Sequence, residues 1–378
     1  MQGKILCRLV VLTCALLFLP LPPHVAATER MRVTFLNPER SEVKTGFWPM
    51  FTAFMQTAAE QLDIDLEVLY SERDHRLTAE QAARVTARAT PPDFLITGNE
   101  KRSAGVVIET AERANVPVFL VNNGFVERQD IKRYGRPREI FRQWIGELIP
   151  DNYAAGYRQA QILITRGLAQ GLGARDTPLQ LVAFAGTFAT HASVERVRGM
   201  EAALAERRDQ VTLRQTIPGD WSEDTAAHKA ALFLLRRTRP PVNLMWAAND
   251  ATAFGLIATA QAHDLRVGRD ILIGGCGWDS EAIKAVREGR LATTVGGHFM
   301  DGAWALVLLH DYQRGKDFFG VPVRTEMLPI VKSNVAQYQP LVDPTRWKGL
   351  DFRRFSRVLN PELREYDFTP QNVLRQMH

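Results

Sequence analysis

Short apolar runs recur along the chain and alternate with longer segments in which apolar residues repeat every three or four positions. The apolar runs predict strands at residues 32–37, 66–70, 93–97, 118–122, 180–185, 211–217, 242–246 and 271–275. The periodic segments predict helices at residues 51–62, 79–89, 104–114, 153–168, 193–205, 225–236, 251–263 and 280–288. Most of the predicted strands are continuously apolar, which is typical of parallel strands covered by helices on both faces. The pattern therefore predicts an α/β fold.

The predicted elements separate into two βα series, one ending near residue 130 and the other beginning near residue 151. Residues 127–142 between them are rich in arginine and lack a clear period, so we interpret them as an irregular excursion. A strand at residues 144–149 then crosses to the second series. Two doubly wound parallel-sheet lobes joined by crossing strands leave a cleft between the carboxyl ends of both sheets, where open α/β sheets bind their ligands.

The first 27 residues have the pattern of a cleaved secretory signal. Lys4 and Arg8 precede an apolar stretch at residues 9–21, and small residues follow at 25–27. The apolar stretch is shorter than the roughly 18–20 residues of a spanning helix, which makes an uncleaved membrane anchor the less favoured alternative. We therefore predict export to the bacterial periplasm, with no membrane insertion of the mature chain.

Composition narrows the class of protein further. The 378 residues are 46% hydrophobic and 24% charged, values near the globular average that exclude a disordered or collagen-like chain. The net charge of +5 is scattered without a Lys/Arg block, so the sequence predicts no nucleic-acid binding. Cys276 is the only cysteine after the signal, which excludes an internal disulfide. There is no phosphate-binding loop, G-x-S-x-G motif or metal-ligand cluster, and we predict neither an enzyme nor a cofactor.

Several short motifs follow one another in a fixed order. They are FLNP at 35–38 with GFW at 46–48, DNYAAG at 151–156, GT at 186–187 leading to RVRG at 196–199, ANDA at 248–251, GGCGWD at 274–279 and a helix-to-strand run at 282–295. In this order they resemble the type I periplasmic binding proteins, the family of ribose, galactose and autoinducer receptors. The resemblance covers about residues 31–340.

The resemblance implies a non-enzymatic binder in which three crossing strands join the lobes, and in which the lobes close on a small polar ligand. It implies an N-terminal lobe of residues 28–149 with about 297–318. The C-terminal lobe is then residues 150–296 with about 319–340, which leaves 341–378 as a C-terminal extension. A repressor with the same effector fold is not favoured, because an export signal occupies the place of its DNA-binding helices.

Four aromatic residues match places where the family holds the flat faces of a ligand. Phe47 and Trp48 open the first helix, and we favour Trp48 as the ligand wall because one of two adjacent aromatics usually faces the core. Trp221 is the candidate from the second lobe, and Trp278 in the last cleft loop is a further one. Packing in the core or on the surface is the alternative for each.

Five polar residues are predicted to replace the water around the ligand's hydroxyl groups. Arg196 offers a forked pair of donors, with an ion pair to a carboxylate such as Glu195 as the alternative. Asn249 can both donate and accept, whereas Asp250 beside it has helix capping as its alternative. Asn37 and Glu100 follow the first and third predicted strands, and a solvated helix start is the alternative for Glu100.

Two positions depart from the pattern of the family's sugar binders. Those proteins usually carry Asp in the loop that here contains Cys276, and Gln or Asn where this chain has His298. We predict both residues as ligand contacts, and the changes leave open which sugar-like molecule binds. Two ligands do not make a closed zinc site, and no third group is identifiable to orient a Cys–His catalytic pair.

The fold leaves two kinds of membrane partner open. One is the permease of an ABC importer in the inner membrane, and the other is the periplasmic domain of a sensor kinase or cyclase. The extension at residues 341–378 is too aromatic for an ordinary disordered end. It is interpreted either as a segment packed on the body or as a docking segment for a partner.

Overall fold

The computed structural model describes residues 30–173, 177–235 and 240–377, so the predicted signal peptide at residues 1–27 lies outside the described residues. The strands are β1 Met31–Asn37, β2 Ile64–Tyr70, β3 Phe94–Thr97, β4 Val118–Val121, β5 Trp144–Leu148, β6 Leu179–Phe184, β7 Val211–Ile217, β8 Leu244–Ala247, β9 Leu272–Gly277, β10 Thr293–Gly296, β11 Val323–Arg324, β12 Leu328–Ile330 and β13 Tyr366–Asp367. The helices are α1 Phe47–Gln61, α2 His75–Thr86, α3 Ala104–Ala114, α4 Arg128–Tyr134, α5 Asn152–Ala169, α6 His191–Glu206, α7 Glu223–Leu234, α8 Asp250–Ala262, α9 Ser280–Glu288, α10 Asp301–Gln313, α11 Val335–Tyr338, α12 Pro344–Trp347 and α13 Pro370–Gln376.

The first lobe is built on a parallel five-stranded sheet in the order β2-β1-β3-β4-β5. Its strands bury side chains on both faces because successive residues point to opposite sides. Phe35 and Phe119 pack with α1 and α10 on one face. Leu36 and Leu120 pack with α2 and α3 on the other. This two-sided burial explains why the strands are apolar without alternation.

The second lobe has a six-stranded sheet in the order β12-β10-β9-β8-β6-β7, parallel except for the edge strand β12. Helices α5 and α6 cover one face, and α7, α8 and α9 cover the other. The predicted α/β fold with two doubly wound lobes is thus confirmed. Residues 31–378 fold as one unit, and among the described residues no helix has the length and hydrophobicity to cross a membrane.

Two features between the lobes differ from the prediction. The segment at 127–142 contains a seven-residue helix, α4, in which only Tyr134 is buried. A helix with one buried residue has no apolar stripe, so its sequence shows no period. The strand predicted to cross at 144–149 is instead β5, the edge strand of the first sheet, paired in parallel with β4. The chain enters the second lobe only after this strand, where Pro150 precedes α5.

The helix α10 was not predicted, although it lies at the centre of the first lobe. Every residue from Asp301 to Asp311 is buried. A helix surrounded by protein is apolar on all sides and lacks the one-sided pattern that reveals a surface helix. It returns to the first lobe after β10 and packs against α1 and β4.

The C-terminal extension is packed against the body of the protein. Its five aromatic side chains are buried: Trp347, Phe352, Phe355, Tyr366 and Phe368. Phe368 stacks on Trp304 of α10, with ring centroids 4.7 Å apart. Strand β13 pairs with β11, which lies in the connection from α10 to the edge strand β12. The aromatic content of this segment is therefore accounted for by packing.

Candidate functional site

A cavity of about 260 Å³, called here the inner chamber, lies between the carboxyl ends of the two sheets. Its lining includes Glu39, Phe47, Trp48, Arg73, Glu100, Asn122, Asn123, Ala192, Arg196, Trp221, Ser222, Asn249, Cys276 and His298. A second cavity of about 400 Å³ adjoins it on the solvent side. Eight of the eleven predicted site residues, all except Asn37, Asp250 and Trp278, lie on the lining of the inner chamber.

Arg196 is the most firmly held polar side chain of the inner chamber. Its Nε donates to Asn152 Oδ1 at 2.8 Å, and Nη1 donates to the carbonyl of Ala248 at 2.7 Å. Its Nη2 lies 3.1 Å from His298 Nε2. An arginine has five N–H donors, so two remain for a ligand. The side chain is only 4% exposed. Glu195, the alternative partner, instead makes an ion pair with Arg198.

Two glycines of the predicted motifs explain how Arg196 reaches this position. A Cβ atom on Gly156 of α5 would lie 1.9 Å from the carbonyl oxygen of Arg196, and one on Gly199 of α6 would lie 1.9 Å from that of Tyr153. Any larger residue would push α5 and α6 apart. The close approach of the two helices brings Asn152, at the start of α5, within hydrogen-bond distance of the guanidinium.

His298 is a neutral donor facing the inner chamber. Because the guanidinium of Arg196 only donates, Nε2 of His298 accepts and the ring proton is on Nδ1. Burial, together with the positive charge of Arg196, holds the pKa of His298 well below its usual value. Nδ1 is buried and has no hydrogen-bond partner among the described residues. The chamber thus has one unsatisfied N–H donor at the point where the chain leaves the second lobe.

Aromatic rings from both lobes line the inner chamber. Phe47 stacks on the imidazole of His298 with centroids 4.5 Å apart, and Trp48 meets Phe47 edge to face at 5.1 Å. Trp221 contributes the wall from the second lobe and lies with its ring centroid 6.0 Å from the guanidinium carbon of Arg196. The backbone φ of Trp221 is 73°, which is uncommon for a bulky residue. The loop therefore holds Trp221 in an unusual backbone conformation.

Asn249 and Cys276 complete the wall formed by the second lobe. Asn249 Oδ1 accepts from the N–H of Thr252 and caps α8, while its Nδ2 donates to the carbonyl of Trp221 at 3.0 Å. The amide therefore positions the loop that carries the aromatic wall. Burial raises the pKa of the Cys276 thiol to about 11. The thiol stays protonated at neutral pH and is a small, weakly polar surface rather than a nucleophile.

The first lobe contributes a polar wall to the chamber. Glu100 is the one residue of this wall that the sequence predicts as a ligand contact. Burial raises the pKa of Glu100, and the amide of Asn123 donates to its carboxylate. Asn122 is buried beside them, and its Oδ1 has no partner among the described residues. Arg73 makes a two-point ion pair with the buried carboxylate of Glu39, including an Nε–Oε1 hydrogen bond of 2.7 Å.

Three predicted ligand residues lie behind the cavity wall. Asn37 uses both ends of its amide within the first lobe, donating to Thr52 Oγ1 and accepting from the N–H of Glu39. Trp278 is fully buried, and its indole donates to the carbonyl of Leu328. Both side chains are already satisfied by protein groups.

Asp250 is the third of these residues and does not cap α8, a role that Asn249 fills. Its carboxylate instead accepts from Thr294 Oγ1 at 2.8 Å and from the N–H of Asp279 at 2.9 Å. Burial raises its pKa to about 7. Asp250 thereby connects α8 to β10 and to the start of α9, where Asp279 is the N-cap and its side chain accepts from Glu281 N–H.

Four residues of the lining were missed although the same rule reaches them. Glu39, Arg73, Asn122 and Asn123 all follow the carboxyl end of a strand in the first sheet. That position is the reason Glu100 was predicted. The signal was therefore available, but loops of this length do not reveal from sequence which of their side chains turn inward.

The lobes also contact one another directly at the edge of the inner chamber. Asn123 Oδ1 accepts a hydrogen bond from the backbone N–H of Ala192 at the start of α6, with a distance of 2.9 Å. The same amide donates to Glu100, so one side chain joins the polar wall of the first lobe to the helix that carries Arg196.

Comparison with known proteins finds one matching family model and related solved structures. The family model described as a periplasmic binding protein domain matches residues 41–317. A periplasmic sugar-binding protein from Pseudomonas fluorescens is similar with a TM-score of 0.79 and 32% identity, over 91% of this chain and 100% of that chain. No curated protein sequence matches this chain.

Two more distant structures share the fold alone. An ABC transporter solute-binding protein from Actinobacillus succinogenes with bound D-allose has a TM-score of 0.69 and 19% identity, over 82% of this chain and 100% of that chain. The binding component of the arabinose ABC transporter from Shewanella sp. ANA-3 has a TM-score of 0.68 and 18% identity, over 83% and 96% of the two chains. With the family model and the Pseudomonas relative, the motif resemblance is confirmed, and this chain belongs to the type I periplasmic binding protein family.

Proposed function

We propose that the protein binds one small polar ligand, a sugar or a sugar-like molecule, and delivers it to an ABC importer. The observation that carries the proposal is the mixture of surfaces in the inner chamber. Flat rings stand beside buried polar atoms without protein partners, namely His298 Nδ1 and Asn122 Oδ1. A sugar ring fits both, because it has less polar faces and hydroxyl groups that donate and accept. The Pseudomonas relative is described as a periplasmic sugar-binding protein, which supports the same ligand class.

Trapping by closure follows from the distribution of these groups. Arg196 and Trp221 belong to the second lobe, whereas Asn122 and Glu100 belong to the first. A ligand reaches both sets only when the lobes are closed, so its binding shifts the equilibrium toward the closed state. The closed surface is then the feature that a membrane partner recognises.

The proposed location is the periplasm, and the proposed partner is the permease of an importer. The predicted signal at residues 1–27 and the family membership support this reading. A sensor kinase or cyclase is the alternative partner. Uptake of the bound sugar by cells with and without the gene separates the two, because unchanged uptake contradicts the importer role.

Ligand binding is tested by thermal shift with a panel of pentoses, hexoses and polyols. A ligand at about 100 times its Kd stabilises the folded protein by roughly 2.7 kcal/mol, and we expect a rise of several degrees in Tm for the correct sugar. If no member of the panel shifts the melting temperature, the sugar-binding function is wrong.

The position of the site is tested by Arg196→Lys. Lysine keeps the charge but loses the planar fork, so we expect at least about tenfold weaker binding of the sugar found in the panel. The matched control is Arg198→Lys on the same helix, where the exposed side chain pairs with Glu195 outside the chamber. Equal affinity in both variants would contradict our placement of the site.

A further inference from the structure

The inner chamber adjoins the second cavity, called here the outer chamber. The two cavities share Glu39, Val43, Arg73, Glu100, Trp221 and Ser222 in their walls. The outer chamber alone adds Arg40, Asp74, His75, Lys101, Thr187 and Asp220. Like the inner chamber, it takes its walls from both lobes, because Thr187 and Asp220 follow strands of the second sheet. One molecule can therefore occupy both chambers past the edge of Trp221.

The outer chamber has a different chemical character from the inner one. It carries charged side chains of both signs in addition to the Arg73–Glu39 pair. Lys101 Nζ donates to the carbonyl of Arg73 at 2.8 Å, and Asp220 accepts from Ser222 and Thr225. The wall thus offers donors and acceptors in close alternation without one dominant sign of charge. That pattern suits a neutral, hydroxyl-rich group that is partly in contact with solvent.

The backbone around the outer chamber is held in an uncommon conformation at three positions. Arg73, Lys101 and Trp221 have φ values of 59°, 47° and 73°, in the left-handed region that usually favours glycine. All three line the outer chamber. Such conformations in residues with long or bulky side chains concentrate at ligand-binding sites, where the position of the side chain matters.

Resting on the proposed sugar-binding function, we propose that the ligand has two polar units. One sugar ring is held by the aromatic walls of the inner chamber. A second sugar ring, or a neutral polar substituent of similar size, is held in the outer chamber between Lys101 and Thr187. Trp221 contacts both units because it lines both chambers. The ligand class is therefore a disaccharide or a glycoside rather than a free monosaccharide.

The test is isothermal titration of the mature protein with matched pairs of probes. Each pair is a monosaccharide from a panel of pentoses and hexoses, and a glycoside that adds one further sugar ring to it. We expect at least one glycoside to bind tenfold or more tightly than its parent monosaccharide. If every monosaccharide binds at least as tightly as its glycoside, the two-unit ligand is wrong while the proposed function stands. If neither kind of probe binds, the proposed function itself is contradicted.

Two variants test whether the tighter binding of the glycoside comes from contacts in the outer chamber. Thr187 lines the outer chamber but not the inner one, so Thr187→Trp should narrow the outer chamber and the glycoside should lose its tenfold advantage. Lys101→Ala removes an exposed side chain and covers the case in which the tryptophan prevents folding or closure. It should weaken the glycoside at least threefold and leave the monosaccharide within a factor of two. An advantage that survives in both variants overturns the assignment.

Discussion

Two regions of this molecule bury polar groups, and they do so in opposite ways. Around Asp311 at the end of α10, the carboxylate accepts from Ser356 Oγ, Arg357 N–H and Tyr366 Oη of the C-terminal extension. In the inner chamber, His298 Nδ1 and Asn122 Oδ1 are equally buried but have no partner among the described residues. The first cluster is complete within the protein, whereas we propose that the second is completed by the ligand.

We expect the complete cluster to contribute to folding stability and the incomplete cluster to contribute to ligand binding. A buried polar group with all its partners adds to folding stability, and the loss of one partner leaves the others unsatisfied. A buried group without a partner costs free energy in the unliganded protein and recovers it on binding. A variant that removes the central group of each cluster tests this contrast. We expect loss of Asp311 to lower mainly the free energy of unfolding, and loss of His298 to lower mainly the affinity for the ligand.

The largest effect is expected from Asp311→Ala. The change leaves three donors of the extension without an acceptor in a fully buried site, and we expect a loss of about 3–5 kcal/mol in the free energy of unfolding. Urea unfolding measures it. The control is Asp317→Ala, six residues later, which removes a partly exposed ion pair with Arg138 and should cost at most about 1 kcal/mol. Equal costs would mean that the extension is only loosely attached.

The sequence predicted the elements that have one-sided or fully apolar patterns, and it failed where burial removes the pattern. Most strands of the two sheets and most helices that cover them were predicted because each is apolar toward the core. Strand β10 was indicated only by the family resemblance, and the three-residue edge strand β12 was not predicted. Helix α10 is buried on all sides, and α4 is almost entirely exposed. Neither has a period, so neither was predicted. The polar cluster at Asp311 joins residues far apart in sequence, which local patterns do not reveal.

The site was predictable to the level of the loop but not of the side chain. The inner chamber lies at the ends of the parallel strands, where the sequence predicts a cleft, and the motif residues Arg196 and His298 lie on its wall. Trp278 and Asp250 occupy the same loops but point into the second lobe, where Leu328 and Thr294 satisfy them. The direction of a side chain at a strand end depends on the neighbouring loops, and this information is absent from a single segment.

A smaller effect on the free energy of unfolding is expected from the titration of Asp250. Its pKa of about 7 in the folded protein lies above the ordinary value of 3.8, so the folded state binds the proton more tightly. Its contribution to stability is present below about pH 4 and is lost as the pH rises through 7. Relative to the wild type, Asp250→Asn should become more stable by roughly 2–4 kcal/mol between pH 4 and pH 8.

Urea unfolding of both proteins at several pH values measures this difference. The comparison between variant and wild type cancels the histidines, since the lowered pKa values of His191 and His298 act in the opposite direction in both proteins. A pH-independent difference would show that Asp250 is ionised in the folded protein.

The smallest effect, and the sharpest contrast with Asp311, is expected at His298. His298→Met removes the Nδ1 donor that has no protein partner and also the Nε2 acceptor of Arg196, so the free energy of unfolding should fall by about 1–2 kcal/mol, less than in Asp311→Ala. Affinity for the sugar found by thermal shift should fall about tenfold, equivalent to about 1.4 kcal/mol. His298→Gln is the matched control, because its amide can accept from Arg196 and still donate to the ligand. It should bind within about threefold of the wild type. If methionine destabilises the fold as much as Asp311→Ala does, His298 holds the closed lobes together rather than the ligand, and the contrast between the two clusters fails.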